Sequence, residues 1–195
     1  YKGPVGIGFP SIIQNGIVRS AANISQKWVG QNVNLLMTDI CTNSIYSLND
    51  ADAAGIAEMK FGIGKEYQRG VVILLTIGTG IGSAIFSDGV LVPNTEFGHL
   101  KIRDKDAELR ASDAIRQKED LSWKKWAGRF NELLLELERL FSPNLFVLGG
   151  GISKKFEKFY PYITIQTKVE PAVLLNQAGI IGAAMYAKEQ SQLSG

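Results

Sequence analysis

Cysteine and histidine are almost absent from this chain, and their scarcity excludes several classes of protein. Among 195 residues there is one cysteine, Cys41, and one histidine, His99. A single cysteine cannot form a disulfide framework and favours a reducing compartment. One histidine and one cysteine are also too few ligands for a zinc centre. We therefore expect a cytoplasmic protein without structural disulfides and without a protein-bound metal.

The chain also lacks long apolar runs and a strong excess of one charge. No apolar run approaches the roughly 20 residues that span a bilayer, so we expect no membrane segment. The formal net charge of +2 is too small to indicate nucleic-acid binding. With 45% apolar residues the chain can bury a sizeable core, and its length fits one or two globular domains.

Glycine is concentrated in one loop between two apolar runs. Thr76-Ile77-Gly78-Thr79-Gly80-Ile81-Gly82 follows the apolar residues 71–75 and precedes another apolar stretch at 84–86. Two strands joined in this way predict a hairpin whose glycines adopt positive φ and direct several N–H groups at a phosphate. A glycine-rich hairpin without any chemical role is the alternative interpretation.

Polar residues follow a short apolar strand at 45–48. Asn49 and Asp50 come at its end, and a helix is predicted to run to about residue 61. Ligands bind at the carboxyl ends of strands in α/β sheets, so Asp50 is a candidate acceptor for a hydroxyl proton, oriented by Asn49. Ordinary helix capping is the competing interpretation. Asp52 is interpreted as a first-turn carboxylate that favours the helix dipole.

Glu96 and His99 lie three residues apart around Gly98. In a turn, this pair could converge on adjacent hydroxyls of a polyol, with the carboxylate accepting and the imidazole accepting or donating. A purely structural histidine is the alternative.

Apolar periodicity predicts strands that alternate with helices, without repeats, low-complexity tracts or linkers. Strands are predicted at 5–10, 44–48, 70–76, 83–86 and 144–148, hairpins or turns at 11–20 and 88–89, and helices at 31–41, 51–61, 106–117, 122–141 and 176–189. The clearest helix, 122–141, has apolar residues at spacings of three and four. The order of the elements predicts an α/β sheet flanked by helices.

Four motifs occur in an order that resembles the ROK family of sugar kinases. They are Asn49-Asp50, the loop from Gly78 to Gly82, Glu96-Phe97-Gly98-His99 and Gly149-Gly150-Gly151. Longer stretches, 49–55, 93–99, 123–127 and 142–146, look like the polyphosphate glucokinase branch of that family. The resemblance covers nearly the whole chain. It implies an actin-like ATPase (ribonuclease H-like) fold with two lobes around a ligand cleft, residues 1–48 belonging to the first lobe and 49–195 to the second.

The resemblance also implies a role for each matching residue, with Asp50 as the base that deprotonates the 6-hydroxyl of glucose. The implied substrate contacts are Asn23, Asn49, Asp50, Glu96, His99 and Glu108. The implied phosphate and nucleotide contacts are Thr76, Gly78, Thr79, Gly80, Gly82, Gly149, Gly150 and Gly151. The Gly149 run could instead simply end a strand before a helix.

The phosphoryl donor implied by the resemblance is polyphosphate or ATP, with Mg²⁺ carried on the donor's phosphates. Basic residues late in the chain favour polyphosphate, although a solvated surface explains them equally well. The candidates are Lys124, Lys125, Arg129, Lys154 and Lys155. Residues 100–118 contain no cysteine, which implies that His99 is free of zinc. A homodimer is also implied.

One family motif is not found: no aspartate- and glycine-rich first phosphate loop precedes Gly6. We therefore expect the first lobe to be truncated at its N-terminus and the 195-residue chain to be inactive by itself. The sequence gives no information on a targeting peptide. Another hexose or amino-sugar kinase, a sugar-responsive repressor and a non-catalytic sugar-binding module are the alternatives. An aspartate–glycine loop before Tyr1 would indicate a kinase, and a basic helical pair would indicate a repressor.

Overall fold

A computed structural model describes residues 2–22 and 24–193 of the chain. The strands are β1 (Val5–Phe9), β2 (Ile13–Gln14), β3 (Ile17–Val18), β4 (Ile45–Asn49), β5 (Val71–Ile77), β6 (Ile81–Ser87), β7 (Val90–Val92), β8 (Lys101–Ile102), β9 (Lys105–Asp106), β10 (Leu145–Gly149) and β11 (Lys168–Pro171). The α-helices are α1 (Val33–Thr38), α2 (Asp50–Phe61), α3 (Glu108–Ala111), α4 (Asp113–Lys118), α5 (Trp123–Phe141), α6 (Phe156–Phe159) and α7 (Ala178–Leu193). Short 3-10 helices cover Gln26–Trp28, Ile63–Glu66, Phe97–His99, Gly151–Lys155, Tyr160–Tyr162 and Leu175–Gln177.

The larger sheet has five strands in the order β11-β10-β5-β6-β7. The strands β11, β10 and β5 are parallel, whereas β6 and β7 are antiparallel additions. Strand β5 is apolar along almost its whole length because both of its faces are covered. Ile73, Leu75 and Ile77 pack in the core that includes α5, while Val72 and Leu74 pack with Met59 of α2 on the opposite face. The predicted α/β class is therefore confirmed.

Helix α5 supplies most of the core on one side of this sheet. Ser122 begins it, since its hydroxyl accepts a hydrogen bond from the Lys125 N–H at 3.4 Å, and Ser142 ends it with a φ of 45°. The buried residues of the helix are Trp126, Ala127, Phe130, Asn131, Leu133, Leu134 and Leu137. The apolar pattern overestimated the core at Leu140, which is 50% exposed, whereas Phe141 at the end of the helix packs against the core.

A second, parallel sheet pairs β1 with β4. Helix α7 packs against both strands and against α2 at positions where glycine is required by space. A Cβ on Gly182 would overlap the Ala53 carbonyl, and one on Gly6 would overlap the carbonyl of Ala183. The small residues of α7 therefore allow its close packing against these elements. This C-terminal helix, assigned from the sequence to the second lobe, contacts the strands assigned to the first lobe. The predicted boundary between the two lobes at residues 48 and 49 therefore stays a prediction.

Two predicted helices differ from the structure. The helix expected over 106–117 is two short helices, because Ser112 is extended, with φ −67° and ψ 159°, and caps α4 by accepting from the Ile115 N–H. The helix expected over 31–41 is only α1. The hairpin of β8 and β9 was missed, since its turn residues Arg103 and Asp104 adopt positive φ without glycine. Within residues 2–22 and 24–193, no helix is long and apolar enough to cross a membrane.

Candidate active site

A cleft of about 350 Å³ opens where β4 and the β5–β6 hairpin end. Its lining brings together most of the residues singled out in the sequence, namely Asn49, Asp50, Thr76, Gly78, Thr79, Gly80, Gly82, Glu96, His99, Glu108 and Gly150. Asn23 lies outside the described residues. Gly149 and Gly151 do not line the cleft, and neither do the late lysines and Arg129.

The N-terminus of α2 presents Asp50 to this cleft. Asn49 caps the helix, because its Oδ1 accepts from the N–H groups of Ala51 at 2.8 Å and Asp52 at 3.1 Å. Its Nδ2 donates to the carbonyl of Ser11 at 3.1 Å, which fixes the amide. Asp50 is exposed in the cleft, yet burial by the surrounding protein raises its pKa, while the N–H groups of Ala51 and of Asp50 itself lower it in part. Asn49 thus caps the helix and lines the cleft at the same time, so the two interpretations of this residue are compatible.

The glycine loop offers fewer N–H groups than the sequence predicted. The N–H of Gly78 donates to the Gly80 carbonyl at 3.0 Å, and that of Ile81 donates to Glu108 Oε2 at 3.3 Å. The tip, Thr79 and Gly80, keeps N–H groups that no atom of the described residues accepts. The positive φ expected at Gly78 and Gly82 was wrong. Gly82 is needed for space instead, because a Cβ would lie 2.5 Å from the Thr76 hydroxyl.

Glu96 is held at the cleft by a buried serine on β6. The Ser83 hydroxyl donates to the Thr95 carbonyl at 2.8 Å and accepts from the Phe97 N–H at 2.9 Å, so both neighbours of Glu96 are fixed. Burial raises the pKa of Glu96, His99 opposes this effect, and the charges of Glu108 and Asp50 add to it.

His99 lines the cleft together with Glu108, and its ring contacts a carboxylate that sequence reasoning missed. Its Nδ1 is 3.0 Å from Asp106 Oδ2 and 3.9 Å from Glu108 Oε1. The hydrogen bond with Asp106 raises the pKa of His99, partial burial lowers it, and the charges of Glu108, Glu96 and Asp106 raise it further. The predicted pair of Glu96 and His99 therefore shares the cleft with Glu108, while Asp106 contacts His99 without lining the cleft.

The residues that flank the β2–β3 hairpin form another wall of the cleft, which sequence reasoning did not predict. Pro10, Ser11, Ser20 and Ala22 line the cleft. The Ser11 hydroxyl donates to the Ser20 carbonyl at 2.6 Å, which closes the base of the hairpin. The only sequence signal was the Asn15-Gly16 turn, which brings positions on either side of it together.

A chain of hydrogen bonds connects this hairpin to the loop at residues 93–96, which leads from β7 to Glu96. Asn94 Oδ1 accepts from the Ile13 N–H and Nδ2 donates to the Ile13 carbonyl, both at 2.9 Å. Asp52 Oδ2 in turn accepts from the Asn94 N–H at 2.8 Å. The interpretation of Asp52 as only a first-turn carboxylate was therefore wrong, because its side chain is 1% exposed and holds a distant loop.

The glycine run at the end of β10 makes a turn, and one of its residues lies at the cleft. Gly150 has a φ of 75°, and a Cβ there would lie 2.5 Å from the Ile77 carbonyl, so the turn itself demands glycine. Gly150 also lines the cleft. Lys154 and Lys155 follow it with exposed side chains, whereas Arg129 forms an ion pair of 2.8 Å with Glu119.

Comparisons with known proteins agree with this geometry. A family profile described as the ROK family matches residues 2–110. A polyphosphate glucokinase of Mycobacterium tuberculosis (strain CDC 1551 / Oshkosh) is 45% identical over 186 residues, which are 95% of this chain and 70% of that protein.

Solved structures share the fold. The inorganic polyphosphate/ATP-glucomannokinase of Arthrobacter sp. strain KM is 45% identical and superposes with a TM-score of 0.93 over 96% of this chain and 74% of its own. A ROK family glucokinase from Streptomyces griseus, solved with glucose and AMPPNP, reaches a TM-score of 0.83 at 21% identity, over 96% and 82% of the two chains. At that identity the second likeness shows the fold alone.

The fold and the cleft of carboxylates facing a glycine loop define the class of the protein as a sugar kinase of the actin-like ATPase fold. Its relatives at 45% identity are phosphotransferases of this class. The chain belongs to the ROK family.

Proposed function

We propose that the protein transfers a phosphoryl group from polyphosphate, ATP or both to the 6-hydroxyl of glucose, with Asp50 as the general base. The observation that carries this proposal is the position of Asp50, exposed in the cleft that the glycine loop of Thr79 and Gly80 also lines. The names of the relatives at 45% identity support glucose as acceptor and polyphosphate as donor.

Asp50 suits the role of a base because its pKa is raised. A carboxylate whose pKa lies closer to the working pH accepts a proton more readily. In the proposed step Asp50 takes the hydroxyl proton, the sugar oxygen forms a bond to the terminal phosphorus, and the bond to the rest of the donor breaks. Such transfers require positioning and charge neutralisation more than covalent help from the protein.

The remaining polar side chains would hold the sugar. Glu96 and Glu108 accept hydrogen bonds from hydroxyls, and His99 adds a ring nitrogen. Asn49 retains one amide hydrogen after its bond to Ser11, and this hydrogen can reach the hydroxyl beside the reacting one.

The donor would lie at the tip of the glycine loop, where N–H groups of Thr79 and Gly80 face the phosphates. The oxygen donors of the cleft, the Asp50 carboxylate and the hydroxyls of Thr76 and Thr79, are of the type that Mg²⁺ prefers. Within the described residues no group of three acidic, histidine or cysteine side chains is arranged so that it could hold a metal ion. We therefore expect Mg²⁺ to be carried mainly on the donor, where it would neutralise phosphate charge. A homodimer and a cytoplasmic location stay predictions.

The test is Asp50→Asn in the full-length protein, assayed with glucose and either ATP or polyphosphate. We expect kcat to fall roughly a hundred- to ten-thousand-fold while glucose binding changes little, since the amide preserves shape but cannot accept the proton. Asp120→Asn, at an exposed turn position with φ 48°, is the matched control. A rate for Asp50→Asn within threefold of the wild type would refute the assignment. Turnover with neither donor would refute the proposed reaction.

A further inference from the structure

The single histidine of the chain is held by one carboxylate through one defined ring nitrogen. His99 Nδ1 lies 3.0 Å from Asp106 Oδ2, within hydrogen-bond distance, whereas its 3.9 Å separation from Glu108 Oε1 is too long. Asp106 therefore determines how this ring is bonded on one side. The other nitrogen, Nε2, is left for the cleft that His99 lines.

Asp106 is itself held in place. It is the last residue of β9 and lies opposite Lys101 of β8, whose ammonium forms an ion pair with Asp106 Oδ1. The Ala107 N–H donates to the Leu100 carbonyl at 2.9 Å, which closes the hairpin directly next to His99. The side chain of Asp106 is only 20% exposed, although the hairpin is on the surface.

The ionisation state of Asp106 determines which ring nitrogen of His99 carries the hydrogen. The lysine and the imidazole both lower the pKa of Asp106, so the carboxylate is ionised and can only accept. Nδ1 must then carry the hydrogen of the bond. A neutral His99 in this arrangement has its lone pair on Nε2, and the second ring nitrogen is the one a ligand meets.

We propose that Asp106 is a positioning residue that holds His99 as the Nδ1–H tautomer and presents Nε2 to a sugar hydroxyl. The inference rests on the proposed function only for the identity of the ligand. The charged groups that surround the imidazole are Glu96 on the loop after β7, Glu108 on α3, Asp106 on β9 and, through Asp106, Lys101 on β8. Because three of these four groups are negative, they raise the pKa of His99, and the Nδ1–H tautomer is the form that remains at a pH above that pKa.

The experiment uses the fact that the chain has one histidine. Tag-free protein labelled with ¹⁵N-histidine gives one pair of imidazole signals, from which the tautomer and the pKa of His99 are read without any ligand. We expect the Nδ1–H tautomer in the wild type. In Asp106→Ala, which leaves Nδ1 without this acceptor, we expect the hydrogen to move away from Nδ1 and the pKa of His99 to fall.

Asp104→Asn is the matched control, because it removes a carboxylate from the same hairpin at a turn position, with φ 65°, that asparagine tolerates. It should leave both the tautomer and the titration of His99 unchanged. An unchanged tautomer in Asp106→Ala, or an equal change in Asp104→Asn, would overturn the proposal.

Glucose binding supplies the second measurement. Loss of an oriented hydrogen bond should weaken glucose affinity by roughly tenfold in Asp106→Ala and in His99→Ala. The double variant should be no weaker than His99→Ala, because Asp106 acts only through that ring. Additive losses would show a separate role for Asp106 and contradict the proposal. If wild-type protein fails to bind glucose, the proposed substrate is wrong, and the tautomer measurement still decides the role of Asp106.

Discussion

Asp52 should make the stability of this protein fall as the pH rises. Its side chain is 1% exposed, and Oδ1 has no hydrogen-bond partner among the described residues. Burial raises the pKa of Asp52 to about 7, the Asn94 N–H lowers it in part, and the charges of Glu96 and Asp50 raise it further. Tyr186 is the other titratable group that faces it.

The direction of this change in stability with pH follows from the number of protons that the native and unfolded states bind. Between the unfolded pKa near 4 and the folded pKa near 7, the native state holds a proton that the unfolded chain has lost. The stabilisation by Asp52 is therefore complete below pH 4 and is lost as the pH rises through 7. For one such carboxyl, the free energy of unfolding should drop by roughly 2.5 kcal/mol between pH 5 and pH 8.

Asp52→Asn removes this titration while its amide oxygen can still accept from the Asn94 N–H. The variant should have a constant cost for the buried amide at every pH. Relative to the wild type, its free energy of unfolding should rise by roughly 2.5 kcal/mol between pH 5 and pH 8, because only the wild type loses the stabilisation by Asp52. Guanidinium unfolding at several pH values measures it. Asp39→Asn, at an exposed position, controls for the loss of one carboxylate. A difference that stays flat within about 1 kcal/mol would refute the reasoning.

Two further predictions concern the link across the cleft and the donor. Asn94→Ala should lower the free energy of unfolding by about 2 kcal/mol, because both backbone groups of Ile13 lose a partner; a loss below about 0.5 kcal/mol in denaturant unfolding would contradict this. Replacing Lys154 and Lys155 by glutamate should raise KM for polyphosphate more than for ATP, and only the polyphosphate KM should rise steeply with salt. Equal effects on both donors would mean that these lysines are merely solvated.

Much of the architecture was decided by short-range sequence signals. The apolar run of β5 and the three-and-four spacing in α5 identify a buried strand and its covering helix, since each pattern reflects one element's own burial. The Asn15-Gly16 and Asp88-Gly89 turns were likewise readable, because positive φ is tolerated best by these residue types. The hairpin turn at Arg103 carries no such signal, and it was missed.

The candidate site was predictable only in its motifs. The strand-end position of Asp50 and the glycine loop follow from order along the chain, and the fold brings them to one cleft. Whether Asn49 caps the helix or faces a ligand could not be decided from the sequence, because an amide has enough donors and acceptors for both.

Only the tertiary structure shows the contacts that set the pKa values and hydrogen bonds of the titratable side chains. Asp52 looks like any first-turn carboxylate until the loop of Asn94, 42 residues away, covers it and removes its water. Asp106 looks like a surface residue until the β8–β9 hairpin turns it onto His99. A sequence shows which groups can titrate, whereas desolvation and hydrogen-bond partners depend on what lies beside them in space. The pKa of a buried carboxyl is therefore a property of the folded chain.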